Sequence, residues 1–66
     1  PNNPNITISL LKVLAILAEV EGLTEEETES VSSCLEALEG VTLSESQQVK
    51  LDDYNQRIDK VLETEQ

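Results

Sequence analysis

Histidine, tryptophan, phenylalanine and methionine are absent from this 66-residue chain, cysteine and tyrosine occur once each, and glycine and proline twice each. Without histidine there is no ordinary general base near neutral pH and no Ser-His or Cys-His arrangement. A single cysteine, Cys34, allows no intrachain disulfide, and with no His to accompany it the usual zinc sites are excluded. Cys34 falls in the middle of a predicted helix with no cationic partner in view, which fits a small residue at the margin of the core rather than a nucleophile. Tyr54 reads as a core residue whose hydroxyl reaches the edge. Gly22 and Gly40 stand only where helices should stop, so no glycine-rich phosphate loop is present. No Asp-x-Asp spacing suggests calcium. No catalytic residue, cofactor or metal is therefore expected, and the chain reads as non-enzymatic.

Positive charge is also scarce, with four Lys and Arg against fourteen Asp and Glu and a net charge of −10. Direct binding to nucleic acid needs cations to replace condensed counterions, and docking on anionic lipid needs them too. Neither is expected here. Such a charge favours solubility or a partner with a basic surface. No targeting segment is evident: the apolar stretch at residues 6–18 has no Lys or Arg before it and is interrupted by Lys12. It is also shorter than the roughly twenty residues a membrane span needs. A start at Pro1 is what removal of an initiator Met leaves, so the expected location is cytoplasmic, and the sequon at Asn5-Ile6-Thr7 reads as chance.

What remains is aliphatic. Leu, Ile and Val supply twenty residues, and eleven of the fifteen residues at 6–20 are apolar. Placed on a helix, that segment shows two seams. Ile6, Leu10, Val13, Leu17 and Val20 recur at four and three with Leu14 beside them, and this seam of larger side chains is expected to organise the chain's own core. Ile8, Leu11, Ala15 and Ala18 form a second seam of smaller residues. Both together cover roughly 240° of the helix, wider than the usual single stripe of a surface helix.

Local signals divide the chain. Residues 1–5 form a short arm, and residues 6–66 a single domain. Helix one starts either with Asn3 as cap and Pro4 at the first position or with Asn5 as cap and Ile6 following. The alternation Ile6, Ile8, Leu10 also permits a strand, but nothing later in the chain could pair with it. Gly22, in the left-handed conformation, should end the helix, with Leu23 folding back on Leu17 or Ala18. Thr24-Glu25-Glu26-Glu27 is a capping box for helix two, with Val31, Leu35 and Leu38 as its apolar positions. The phrase Glu21-Gly22-Leu23-Thr24 returns as Glu39-Gly40-Val41-Thr42, and Ser44-Glu45-Ser46-Gln47 offers a competing cap for helix three. Helix three carries Leu51, Tyr54, Ile58, Val61 and Leu62 on one face, with Asp53 and Arg57 at ion-pair spacing. Val49 points away from that face.

The fold expected is all-α: a small up-down-up three-helix bundle with helices at about 5–21, 25–39 and 44–63. A chain this short buries only about 60% of its unfolded surface. With disulfides and metals excluded, oligomerisation is the remaining support. Helices two and three bring few large residues, so the Ile8, Leu11, Ala15 and Ala18 seam is expected to meet another chain, as a homodimer or higher oligomer. The bundle order also gathers Glu19, Glu21, Glu25, Glu26, Glu27, Glu29, Glu63 and Glu65 at one pole. Of these, Glu19, Glu21, Glu25, Glu26 and Glu29 are the candidate surface for a basic partner. The expected function is protein–protein contact, as an adaptor, assembly factor or steric inhibitor that self-associates through helix one. The alternative is an acidic mimic of nucleic acid that blocks the basic cleft of a DNA- or RNA-binding protein.

Overall fold

A computed structural model describes residues 3–64. Pro1 and Asn2 of the expected arm and Glu65 of the expected acidic pole lie outside the described residues. Within them the chain forms three helices and no strand: α1 at Pro4–Glu21, α2 at Glu25–Leu38 and α3 at Glu45–Thr64. Of the two possible starts of α1, the structure takes the earlier. Asn3 is the cap, its Oδ1 accepting from the Asn5 backbone N–H at 3.0 Å, and Pro4 stands in the first turn, where its missing N–H costs no hydrogen bond. Pro4 and Asn5 thus belong to the helix and not to an arm.

The capping box of α2 forms in both directions. The Thr24 backbone N–H donates to Glu27 Oε1 at 2.9 Å, and the Glu27 N–H donates to Thr24 Oγ1 at 3.2 Å. At α3 the competition is settled in favour of Ser44: its N–H donates to Gln47 Oε1 at 2.8 Å, and the Gln47 N–H donates to Ser44 Oγ at 3.2 Å. The structural counterpart of Leu23-Thr24 is therefore Leu43-Ser44, two residues beyond the repeated Gly-x-Thr phrase. Burial explains the choice. Leu23 and Leu43 both pack against the core, whereas Val41 remains exposed. Gly22 does adopt a positive φ of 80°, but with ψ of 178° it leaves α1 extended rather than in the left-handed helical turn expected.

α1 and α3 run parallel. At one end Gln47 Nε2 donates to Asn5 Oδ1, joining the first turns of the two helices, and near the other Arg57 reaches Glu19. α2 returns along α1 after a three-residue connection, which completes the up-down-up order. The long dimension, 34 Å, is set by α1 and α3; helices of their length span about 27 and 30 Å at 1.5 Å per residue. The bundle is not closed, however. α1 packs against both neighbours, while no Cα atoms of α2 and α3 lie within 8 Å of each other. α1 is the keel, and the other two helices lie on it side by side.

Its inner face is the one with the small side chains. Ile8, Leu11, Leu14, Ala15 and Ala18 are buried, with Leu11 and Ala15 at 0% exposure. Ile8, Leu11, Leu14 and Ala15 form one cluster with Val31, Cys34 and Leu38 of α2 and Ile58 of α3, with Leu35, Leu51, Tyr54 and Leu62 packed around them. This reverses the expected roles of the two seams. Ala15 lies in one core with Val31, Cys34 and Leu38 of α2 and Ile58 of α3, small and large side chains together; cores fill by such combination. Among the described residues no buried side-chain polar atom lacks a partner.

Candidate functional site

The expectation that Ile8, Leu11, Ala15 and Ala18 meet another chain is overturned by their burial at 0–4% within the chain's own core. No partner can reach them in the folded state. The alanines that would let two chains come close instead let α2 and α3 come close.

The same rotation places the larger seam on the outside. Ile6 is 69% exposed, Val13 52% and Val20 74%, with Leu10 and Ile16 also exposed and Leu17 half-buried. Only Leu14, on the flank of that seam, turns inward. Ile16 belongs to neither of the two expected seams, yet it completes the outer face. At 100° per residue the arc from Ile16 through Val20, Val13, Ile6 and Leu17 to Leu10 spans roughly 120° and contains one polar residue, Ser9. A signal in the sequence could have found Ile16: the β-branched residues Ile6, Val13, Ile16 and Val20 share one side of the helix, and the small residues Ala15 and Ala18 the other. From Ile6 to Val20 this face is about 21 Å long and the width of a helix, about 10 Å. Contiguous exposed apolar surface of a few hundred Å² is characteristic of interaction sites rather than of scattered surface leucines. Val49 on α3 is 65% exposed, but it stands singly among Glu45, Ser46 and Lys50.

Charge is arranged around this face, not on it. Lys12 lies at its α3 edge, where it lines a groove of about 280 Å³ with Ser9, Lys50 and Tyr54. Neither Lys12 nor Lys50 has a carboxylate within 4.0 Å among the described residues. Glu19 and Glu21 occupy the last turn of α1, which has no basic residue there and no acidic residue in its first turn. That is the reverse of what the helix dipole favours.

All five candidate acidic residues, Glu19, Glu21, Glu25, Glu26 and Glu29, are exposed. Glu25 and Glu26 stand in the first turn of α2, where they complement the dipole. Glu19 is drawn into a bridge: Arg57 Nε lies 3.6 Å from Glu19 Oε1, and Arg57 Nη2 lies 3.4 Å from Asp53 Oδ2, the expected i, i+4 pair. Both contacts are half-exposed, and such pairs are worth about 0–1 kcal/mol. A shallow groove of about 430 Å³ runs beside this bridge between the ends of α1 and α3, with Lys60 on its wall. The end of α1, the start of α2 and the end of α3 thus share a pole.

Cys34 is buried, and burial pushes its thiol above the ordinary cysteine value, since the thiolate would lose its hydration there. A raised value disfavours the nucleophilic form. Among the described residues no group of three or more His, Cys, Asp or Glu could hold a metal ion, and no helix is long and apolar enough to cross a membrane. No family model matches this chain, and comparison with curated proteins and with solved structures gives no match.

Proposed function

We propose that this chain is a non-enzymatic interaction protein, an adaptor, assembly factor or steric inhibitor, whose working surface is the outer apolar face of α1. The observation that carries this reading is the exposure of Ile6, Leu10, Val13, Ile16 and Val20 along one side of a single helix. Leaving that surface in water is costly, at about 25 cal/mol per Å². A chain that needs only one core-facing stripe on α1 gains nothing for its own fold from a second. The reading carries over the expectation of contact through helix one, moved from the inner seam to the outer.

A second reading is supported by the acidic pole. Glu25, Glu26 and Glu29 are exposed and have no cation within 4.0 Å among the described residues, so they are free to receive a basic partner, including the basic cleft of a nucleic-acid-binding protein. Salt distinguishes the two surfaces. An acidic contact weakens steeply from low to moderate salt, whereas an apolar one holds.

The test is capture of partners from the source cell with wild type and with Val13→Glu, both verified as equally helical, across a salt series. Partners that survive salt and are lost with Val13→Glu support the α1 face. A variant that retains every partner of wild type, its own chain included, refutes it. Partners lost with salt but indifferent to Val13→Glu, and released by Glu25→Lys and Glu29→Lys, place the function at the acidic pole instead.

A further inference from the structure

The four cations of this acidic chain are not spread over its surface. Lys12 stands on α1, Lys50, Arg57 and Lys60 stand on α3, and α2 has none. Arg57 holds two carboxylates at once, Glu19 and Asp53. Asp53 is the one acidic residue at helical-pair spacing from Lys50, three positions on, and it is turned to Arg57 instead. Lys12 has no acidic residue three or four positions away in either direction. Both lysines are thus left without a carboxylate within 4.0 Å among the described residues.

These two lysines nevertheless come to the same place. They line one groove of about 280 Å³ between α1 and α3, together with Asn5, Ser9, Gln47 and Tyr54. Two like charges in one groove repel each other. No Asp or Glu lines it to offset them, although the chain has fourteen. Glu45 lies beyond Lys50, in a separate depression beside Val49.

The neutral groups of the groove add donors. The Gln47 amide is spent within the protein: its Oε1 accepts from the Ser44 N–H at 2.8 Å, and its Nε2 donates to Asn5 Oδ1 at 2.6 Å. That contact engages the Asn5 carbonyl oxygen and leaves Asn5 Nδ2 as a donor. The hydroxyls of Ser9 and Tyr54 make no hydrogen bond among the described residues, so they too can donate. Asn5 and Gln47 lie in the first turns of two parallel helices, which bring the positive ends of both dipoles to this end of the groove. Two ammonium groups, an amide and two hydroxyls therefore face one small space with no anion of the chain to receive them.

Charge and size select the ligand. A phosphoryl group carries about −1.5 to −2 at pH 7 and three acceptor oxygens, which matches two ammonium groups with donors around them. Lysine binds phosphate as a point charge, whereas a carboxylate is gripped best by the planar fork of arginine. The only arginine is committed to Glu19 and Asp53. The volume falls just below the roughly 300–1,000 Å³ of ordinary ligand pockets, so the ligand is small. Ile8 and the Tyr54 ring supply the apolar part of the lining.

We infer that the groove between Lys12 and Lys50 binds a phosphoryl dianion, as free phosphate or as the monoester of a small molecule. The site lies apart from the acidic pole and shares only Lys12 with the border of the outer α1 face.

Amide chemical shifts of the isotope-labelled chain, titrated with inorganic phosphate at neutral pH and constant ionic strength, test it. The amides of Asn5, Ser9, Lys12, Gln47 and Lys50 should move saturably, and those of Glu25 and Glu29 should not. Lys12→Gln and Lys50→Gln, both at exposed positions and verified as equally helical, should each weaken binding about tenfold, the scale of one hydrogen bond to a charged group. Lys60→Gln removes the same charge outside the groove and should leave the affinity unchanged. Glycerol phosphate separates the two sources: tighter binding than inorganic phosphate assigns the groove to a monoester, and equal or weaker binding assigns it to the free ion. Absence of a saturable shift with both probes overturns the site. Binding that persists at full strength in Lys12→Gln and Lys50→Gln, or falls equally in all three lysine variants, overturns it as well, since the contact would then lie elsewhere or be diffuse. Malonate, a dicarboxylate, binding as tightly as phosphate would overturn the phosphoryl ligand.

Discussion

The two faces of α1 each carry five apolar residues and have opposite fates. The inner one, Ile8, Leu11, Ala15 and Ala18 with Leu14, is buried against α2 and α3; the outer one, Ile6, Leu10, Val13, Ile16 and Val20, is exposed. Hydrophobicity alone does not choose between them. What differs is bulk. The inner face carries two alanines, and the outer face is built of β-branched and leucine side chains with no small residue among its exposed apolar members. The helix is therefore turned by fit: a face that lets two neighbours approach closely gains more dispersion contact than one that holds them away. The remaining face is left for contact beyond the chain.

Adjacent residues offer the sharpest way to break this comparison. Ala15→Glu places a charge at 0% exposure among Leu and Ile side chains and should abolish the cooperative thermal transition, because an unpaired buried charge costs more than a small domain has in reserve. Ile16→Glu, one residue on, should keep its helical content and transition. If the two behave alike, the orientation of α1 is wrong.

Truncation gives a graded form of the same contrast. Leu11→Ala should cost about 2–5 kcal/mol by urea unfolding, the range for emptying a closed apolar site. Leu10→Ala, at 47% exposure, should stay within about 0.5 kcal/mol when measured at concentrations where the chain is monomeric. Similar values for the two would remove the distinction between inside and outside.

The smallest expected effect concerns the α2 side of the core. Cys34 should react with a thiol reagent far more slowly in the folded chain than in urea. The sign of its pH dependence follows from a thiol value raised in the folded state. Stability is complete below the unfolded thiol value, about 8.5, and falls as pH rises through the folded value, because only the unfolded chain can ionise freely in that window. The melting temperature of wild type should therefore drop above about pH 8.5 by more than that of Cys34→Ala. Equal slopes would mean that the thiol is not buried.

These contrasts also show which parts of the molecule were legible from residue order. Helix two was, because Thr24 and Glu27 cap each other within four residues. The Asp53 and Arg57 pair was, because i and i+4 meet on any helix. The third helix start was legible only as a choice between two caps, and it turned on whether Val41 or Leu43 would be buried, a matter of packing. The assignment of Ile8, Leu11, Ala15 and Ala18 to an external contact failed for a related reason. It weighed the number of large side chains on helices two and three but not their fit against alanine. Ile16 stands three residues after Val13 and four before Val20, so the same spacing admits it to the outer seam as well as Leu17, and sequence alone leaves that choice open.

Sequence by itself thus determined the three helices, the capped start of helix two, the acidic charge and the presence of two apolar faces on α1. All of these depend on residues a few positions apart or on composition. Only the tertiary structure decided which face is core, and that α1 is a keel between two helices whose backbones do not meet. That decision depends on the sizes of side chains on all three helices at once, brought together from positions as distant as Leu11 and Ile58, and no local pattern carries it.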